Sequence, residues 1–233
     1  MFGRTGTRTA LFLLAMSAAA SASAAPINLV TNGDFSSGNS GFSTAYLFAP
    51  NDNDGIPAGN YSIETAGTPW HPSFVATGDH TTGTGNMFVA NGKETPDVVW
   101  ETTVSGLDPD TNYFFEAFLM NLCCSTLTRP GPQLQFYANN VLLGLGSTET
   151  PGAWTGVSNV WNSVSATMVT LQLRNASVVF DGNDFALDDV YLGKESQVHQ
   201  TPVPEPASIL LLGTGFFALA RRMKKTQRQE ALR

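Results

Sequence analysis

The residues between Ala25 and Lys194 predict an all-β fold, a single β-sandwich of jelly-roll type. No stretch there carries the apolar period of an amphipathic helix. Short runs rich in Val, Ile, Phe, Tyr and Trp alternate instead with clusters of Gly, Asn, Asp, Ser and Pro. The span of about 170 residues is enough for one sizeable core, with no internal repeat or second domain.

The elements follow in chain order. Ile27–Val30 is a first short strand. Met87–Asn91, "MFVAN", is another, and Asn91-Gly92 behind it is a hairpin-type turn signal. "DVVWETTV" (Asp97–Val104) and "NYFFEAFLM" (Asn112–Met120) predict two strands joined by "SGLDPDT". "QLQFYANNVLLG" reads as a hairpin turning near Asn139-Asn140. "SATMVTLQLRN" alternates, with Met168 and Thr170 opposed to Val169, Leu171 and Leu173. "DFALDDVYLG" is the closing strand, and residues 195–202 read as a polar linker. Trp100 and Trp161 lie in strand-like runs and are expected in the core.

The two ends have a different character. Arg4 and Arg8 precede an apolar run, Ala10–Ala20, and then Ala22-Ser23-Ala24. That is the anatomy of a secretory signal peptide over residues 1–24, for signal peptidase to remove after Ala24. Eleven apolar residues are too few to span a bilayer comfortably, which argues against an uncut anchor. Near the other end, Ala207–Ala220 is uncharged and mostly apolar, and Arg221, Arg222, Lys224 and Lys225 follow at once. A basic flank stays on the cytoplasmic side, so 207–220 reads as a transmembrane helix with residues 221–233 as its cytoplasmic tail. Its fourteen residues cover roughly 21 Å, and snorkelling arginines narrow the shortfall against the bilayer core.

The whole chain has a formal net charge of −7. From Ala25 to Pro202, however, four Lys and Arg face seventeen Asp and Glu, a net charge of −13. So acidic a body argues against nucleic acid or anionic lipid as a partner and suits hard cations.

Val203-Pro204-Glu205-Pro206 precedes the apolar segment, and its alternating prolines hold the backbone extended, as a protease or transpeptidase binds its substrate. Val203, Pro204, Glu205 and Pro206, then the apolar span, then Arg221 and Arg222 resemble the PEP-CTERM sorting signal of exported Gram-negative proteins. The same short region is also called the ice-binding protein C-terminal domain. The resemblance covers 203–233 and implies recognition by an exosortase, transient residence in the inner membrane, removal of the tail, and release or surface attachment. A second resemblance covers the body. "NLVTNGDFSSGNSGF", "GDHTTGTGNMFVANG", "GLDPDTNYFFEAFLMN" and "GNDFALDDVYLG" together resemble galactose-binding-like jelly rolls, the fold of many carbohydrate-binding modules. In the absence of enzyme signatures, a non-enzymatic body is expected, one that binds glycan, the cell's own exopolysaccharide above all. A structural matrix or adhesion component without a small ligand is the alternative, and a glycoside-active enzyme is remote.

The chemistry-bearing residues are few. There is no HExxH, GxSxG or P-loop. "NDNDG" (Asn51–Gly55) fails as an EF-hand, because Pro50 and Tyr61 stand at its first and twelfth positions. Asp188-Asp189 are strand neighbours and face opposite sides, so they cannot form a glycosidase pair together. Adjacent Cys123-Cys124 can join only as a strained small ring, with reduced thiols or intermolecular bonds as the alternatives. Sugar faces stack on exposed rings, and Trp70 and Tyr46, in loop-like surroundings, are the candidates. A structural Ca2+ between the first and last strands is expected from the resemblance. Its candidate ligands are Asn32, Asp34, Asp79, Asp188 and Asp189, with Ser36 standing where related modules often carry Glu. Simple alternation groups Asp189 with Phe185, Leu187 and Tyr191, and Asp188 with Ala186, Val190 and Leu192. Whichever aspartate faces inward needs a counter-charge.

Overall fold

The computed structural model of the chain describes residues 26–50, 57–123, 130–177, 179 and 181–199. The expected signal peptide, the apolar C-terminal segment, Val203–Pro206 and the Arg221-Arg222 pair lie outside them. No helix among the described residues is long and apolar enough to cross a membrane.

Ten strands form two sheets. They are β1 (Leu47–Phe48), β2 (Asn60–Glu64), β3 (Met87–Ala90), β4 (Val98–Ser105), β5 (Asn112–Asn121), β6 (Gln133–Ala138), β7 (Val141–Ser147), β8 (Trp154–Asn162), β9 (Met168–Asn175) and β10 (Phe185–Gly193). A single helical turn, α1, covers Gly67–Trp70. One sheet has six strands in the order β1-β2-β3-β10-β5-β8, and the other has four in the order β4-β9-β6-β7. The fold is the expected all-β sandwich, and the main core lies between the sheets. Phe88, Phe115, Phe185 and Leu187 of the large sheet are fully buried there with Leu134, Val169, Leu171 and Leu173 of the small one. Phe115 and Phe136 meet across the gap with ring centroids 5.1 Å apart. Trp100 is in this core, as expected, and Trp161 packs against it part-buried.

Three expectations about the elements need correction. Ile27–Val30 is not a strand. It runs beside β10, but the Asn28 carboxamide stands in for ladder peptide groups: Nδ2 donates to the Val190 carbonyl and Oδ1 accepts from the Leu192 amide. Leu29 adds the one backbone bond, to the Leu192 carbonyl. Asn91-Gly92 does not turn a hairpin either, because β3 and β4 belong to different sheets. Asn91 bonds both ways with the Gly59-Asn60 stretch, and a Cβ on Gly92 would come within 2.4 Å of Asn183, so glycine is set here by close approach. Third, alternation breaks in β10. Its register against β5 shifts between Asp188 and Tyr191, and Asp189 takes a left-handed φ of 46°. The bulge resets the pleat. Val190 and Leu192 join Phe185 and Leu187 in the core, while Asp188 faces the outside of the sheet with Ala186. The hairpin at Asn139-Asn140 forms as expected, with both residues at positive φ as a primed turn requires.

The outer face of the six-stranded sheet is extensively covered. Trp70, Phe74, Met87, Val89, Met120, Leu122 and Ala186 make a second apolar cluster there, roofed by α1 and the chain behind it. Farther along, the buried Glu116 fastens the chain beyond β10. Its carboxylate accepts from Ser158 and Ser196 hydroxyls at 2.5 Å and from the amides of Gln197 and Val198 at 2.7 and 3.2 Å. Residues 195–199, the first part of the polar linker, are thus strapped to the sheet. Cys123 is disulfide-bonded.

Candidate functional site

The carboxylates proposed as calcium ligands are engaged with hydrogen-bond donors. Asp188 is fully buried beneath the loop that precedes β3. Its Oδ2 accepts the His80 and Thr81 amides at 2.8 and 3.4 Å, and its Oδ1 accepts the Asp189 amide at 2.8 Å. Burial, and then the neighbouring Asp189, push its carboxyl up to about 7. His80 Nδ1 lies 2.6 Å from Asp189 Oδ2, and the His80 ring stacks on Phe118 with centroids 3.5 Å apart. Asp79 closes its own loop by accepting the Thr82 and Gly85 amides at 2.8 and 2.6 Å. Asn32 ties down Gly38 and Ser40 through its side-chain amide, and Asp34 accepts from Ser36. Among the described residues, no group of three or more His, Cys, Asp or Glu is placed to hold a metal ion. The structure thus brings Asp79, Asp188 and Asp189 to one loop, where backbone amides, threonine hydroxyls and the His80 ring nitrogen contact their oxygens. As placed, these side chains do not fit a calcium cage.

The two rings proposed for sugar stacking are inside the molecule. Trp70 is 2% exposed, and its indole N–H donates to the Ala49 carbonyl at 2.7 Å. It sits at the centre of the second apolar cluster, with Phe74 at 5.8 Å. Tyr46 is 5% exposed, set edge-on against Phe185, and its hydroxyl accepts the Lys93 amide. Burial pushes its phenol up to about 12. Neither ring is available as a stacking platform. A loop-like composition is no guide to exposure where the loop itself roofs a sheet.

The open surface is elsewhere, on the outer face of the four-stranded sheet. Strict alternation builds it. In β6, Leu134, Phe136 and Ala138 point into the core, so Gln133, Gln135 and Tyr137 point out. In β9, Val169, Leu171 and Leu173 are buried in the core, and Thr170, Gln172 and Arg174 take the other face, where Gln172 is covered by its neighbours. Register then places Glu101 opposite Gln172 and Thr103 opposite Thr170, while Gln172 is flanked on its other side by Tyr137 and Arg174 by Gln135. The side chains are linked across the strands. Arg174 Nε donates to Gln172 Oε1 at 3.0 Å, and Nη2 donates to Asn140 Oδ1 at 2.8 Å. Gln172 Nε2 donates in turn to Glu101. The Tyr137 hydroxyl donates to Gln135 at 3.1 Å, and the Arg174 guanidinium lies 4.3 Å from the Tyr137 ring centre. The Thr103 and Thr170 hydroxyls are 3.2 Å apart.

This face carries amides, hydroxyls, one carboxylate, one guanidinium and one aromatic ring, bordered by the exposed Leu142 and Leu145 of β7 and by Met168 at the start of β9. Donors and acceptors are interleaved, and the network fixes their directions, which lowers the entropy lost on binding. Such a surface can match the alternating donors and acceptors of a polyol and lay a ring beside them. The sequence reading missed it. Its signal was present in the period-two pattern of "QLQFYA" and "MVTLQLRN".

Several solved structures resemble the chain in outline. A family 61 carbohydrate-binding module, TmCBM61, in complex with β-1,4-galactotriose is 15% identical, with 72% of this chain and 99% of that one covered and a TM-score of 0.45. A family 16 carbohydrate-binding module is 19% identical, with 71% and 99% covered and a TM-score of 0.40. The enzymatically active domain of tailspike protein 4 from bacteriophage CBA120 is 11% identical with a TM-score of 0.47. The overlay uses 72% of this chain but only 21% of the tailspike. Overlays this loose fix neither a ligand nor any residue's role. No curated protein matches the sequence. At the C-terminus, residues 202–225 match the PEP-CTERM protein-sorting motif, so the chain carries the signal that implies export and membrane-anchored sorting in Gram-negative bacteria, with processing by an exosortase-type system.

Proposed function

We propose that this is a non-enzymatic envelope or matrix protein whose sandwich binds polysaccharide through the outer face of its four-stranded sheet. The observation that carries the reading is the hydrogen-bonded array of Glu101, Gln172, Arg174 and Asn140 beside the part-exposed Tyr137. It links β4, β9 and the turn after β6 on one face, while the alternate residues of β6 and β9 are buried in the core. Electrophoresis of the exported protein through gels with and without the host's exopolysaccharide tests it. Retardation is expected; unchanged mobility favours a matrix component without a ligand.

Sorting completes the proposal. Val203–Pro206 serves as the exosortase handle, and the mature protein lacks everything after about Pro206, ending a few residues beyond the strap at 195–199. Intact-mass measurement of protein from the native host is expected to give that truncated species. A product extending to Arg233, with no shorter form, contradicts it.

A further inference from the structure

The basic residues of the sandwich differ in what they face. Three of its four Lys and Arg fall among the described residues: Lys93, Arg174 and Lys194. Lys93 is ion-paired with Asp97 at 2.8 Å, and Lys194 with Asp108. His80, too, meets Asp189. Arg174 is different. Its hydrogen bonds go only to the neutral oxygens of Gln172 and Asn140, and its guanidinium packs near the Tyr137 ring. The nearest acid in the array, Glu101, is held one residue away by Gln172 Nε2 and by the Ser43 hydroxyl. In a body with seventeen acids, an arginine on the open face is thus oriented by neutral acceptors and paired with no carboxylate among the described residues. Nη1 bonds nothing among them either. A guanidinium is the planar fork that matches a carboxylate.

We infer that the open sheet face takes an acidic glycan, one bearing sugar carboxylates as hexuronic acids do, and that Arg174 receives the carboxylate. The inference rests on the polysaccharide reading of this face. The surrounding charge of −13 repels an acidic polymer at long range, so the interaction must be local and specific to this arginine rather than a field effect.

The test uses the host's exopolysaccharide before and after chemical reduction of its carboxyl groups, with wild type, Arg174→Gln and Arg174→Lys. Wild type is expected to bind the untreated polymer about tenfold or more tightly than the reduced one, the scale of one charge-assisted contact. Arg174→Gln is expected to bind both forms equally, with an unchanged melting temperature, and Arg174→Lys to keep part of the preference. Equal wild-type affinity for the two forms, or a preference that survives in Arg174→Gln, overturns the acidic-glycan inference and leaves the polysaccharide reading standing. Binding of neither form overturns both.

Discussion

Trp70→Ala is expected to destabilise the sandwich by about 3–5 kcal/mol, the usual cost of emptying a large buried aromatic site. For a domain of this size that corresponds to a fall in melting temperature of roughly 10 °C. The ring is 2% exposed and packs among Phe74, Met87, Val89, Met120 and Leu122 on the outer face of the large sheet. Truncation removes that packing and also orphans the Ala49 carbonyl that accepts the indole N–H. The site lies on the opposite sheet from the array around Arg174, so polysaccharide binding by the folded fraction is expected to stay at the wild-type level. Thermal melts and gel retardation of the same preparation separate the two effects. Lost binding with a wild-type melt contradicts the placement of Trp70 in the core.

The second large effect is a pH dependence that runs against the ordinary behaviour of carboxylates. Burial raises Asp188 from 3.8 to about 7 and Asp184 to about 6. The folded protein therefore holds these protons more tightly than the unfolded chain, and stability is lost as pH rises from about 4 to about 7. For Asp188 alone the effect is on the order of a few kcal/mol. Two other aspartates act in the opposite sense. Asp79 is lowered because the amides of Thr82 and Gly85 outweigh its burial, and Asp97 by its hydrogen bond from Lys93. Their contribution is lost only at more acidic pH, as each is protonated through its depressed native value. The melting temperature is accordingly expected to be highest near pH 4 and to fall several degrees by pH 8. Asp188→Asn keeps an acceptor for the loop amides and is expected to flatten the decline. A melting temperature that climbs from pH 5 to pH 8 contradicts this, and a climb seen only with added calcium reinstates a cation beside Asp188.

The fold was legible in the sequence where alternation was regular. β4, β5, β6, β7, β9 and β10 each announce themselves by β-rich runs closed with turn residues, and Asn139-Asn140 supplies its own turn chemistry. Other elements were hidden for identifiable reasons. β1 and β2 are short edge pieces whose residues read as loop. Ile27–Val30 has strand composition but lets the Asn28 side chain do the pairing. The bulge at Asp189 cannot be seen in "ALDDVYL", because a left-handed aspartate leaves no mark on the hydrophobic pattern, and it moves Asp188 under a loop. The site divided in the same way. The sorting motif is linear, so it was readable. Tyr137 and Arg174 are far apart in the chain and become neighbours only through the β6–β9 register. The exposure of Trp70 depends on what covers the sheet, which no local pattern states.

Binding by the open sheet face is tested most directly by the affinity of wild-type protein and Tyr137→Ala for the host's exopolysaccharide, measured beside their melting temperatures. Tyr137 is part-exposed and lies against the guanidinium of Arg174, so its loss removes both a stacking surface and the support of the cation. Binding is expected to weaken about tenfold or more, in line with ring and cation contributions of 1–2 kcal/mol, while the melting temperature moves by no more than about 2 °C. Wild-type affinity in Tyr137→Ala, at an unchanged melting temperature, contradicts it.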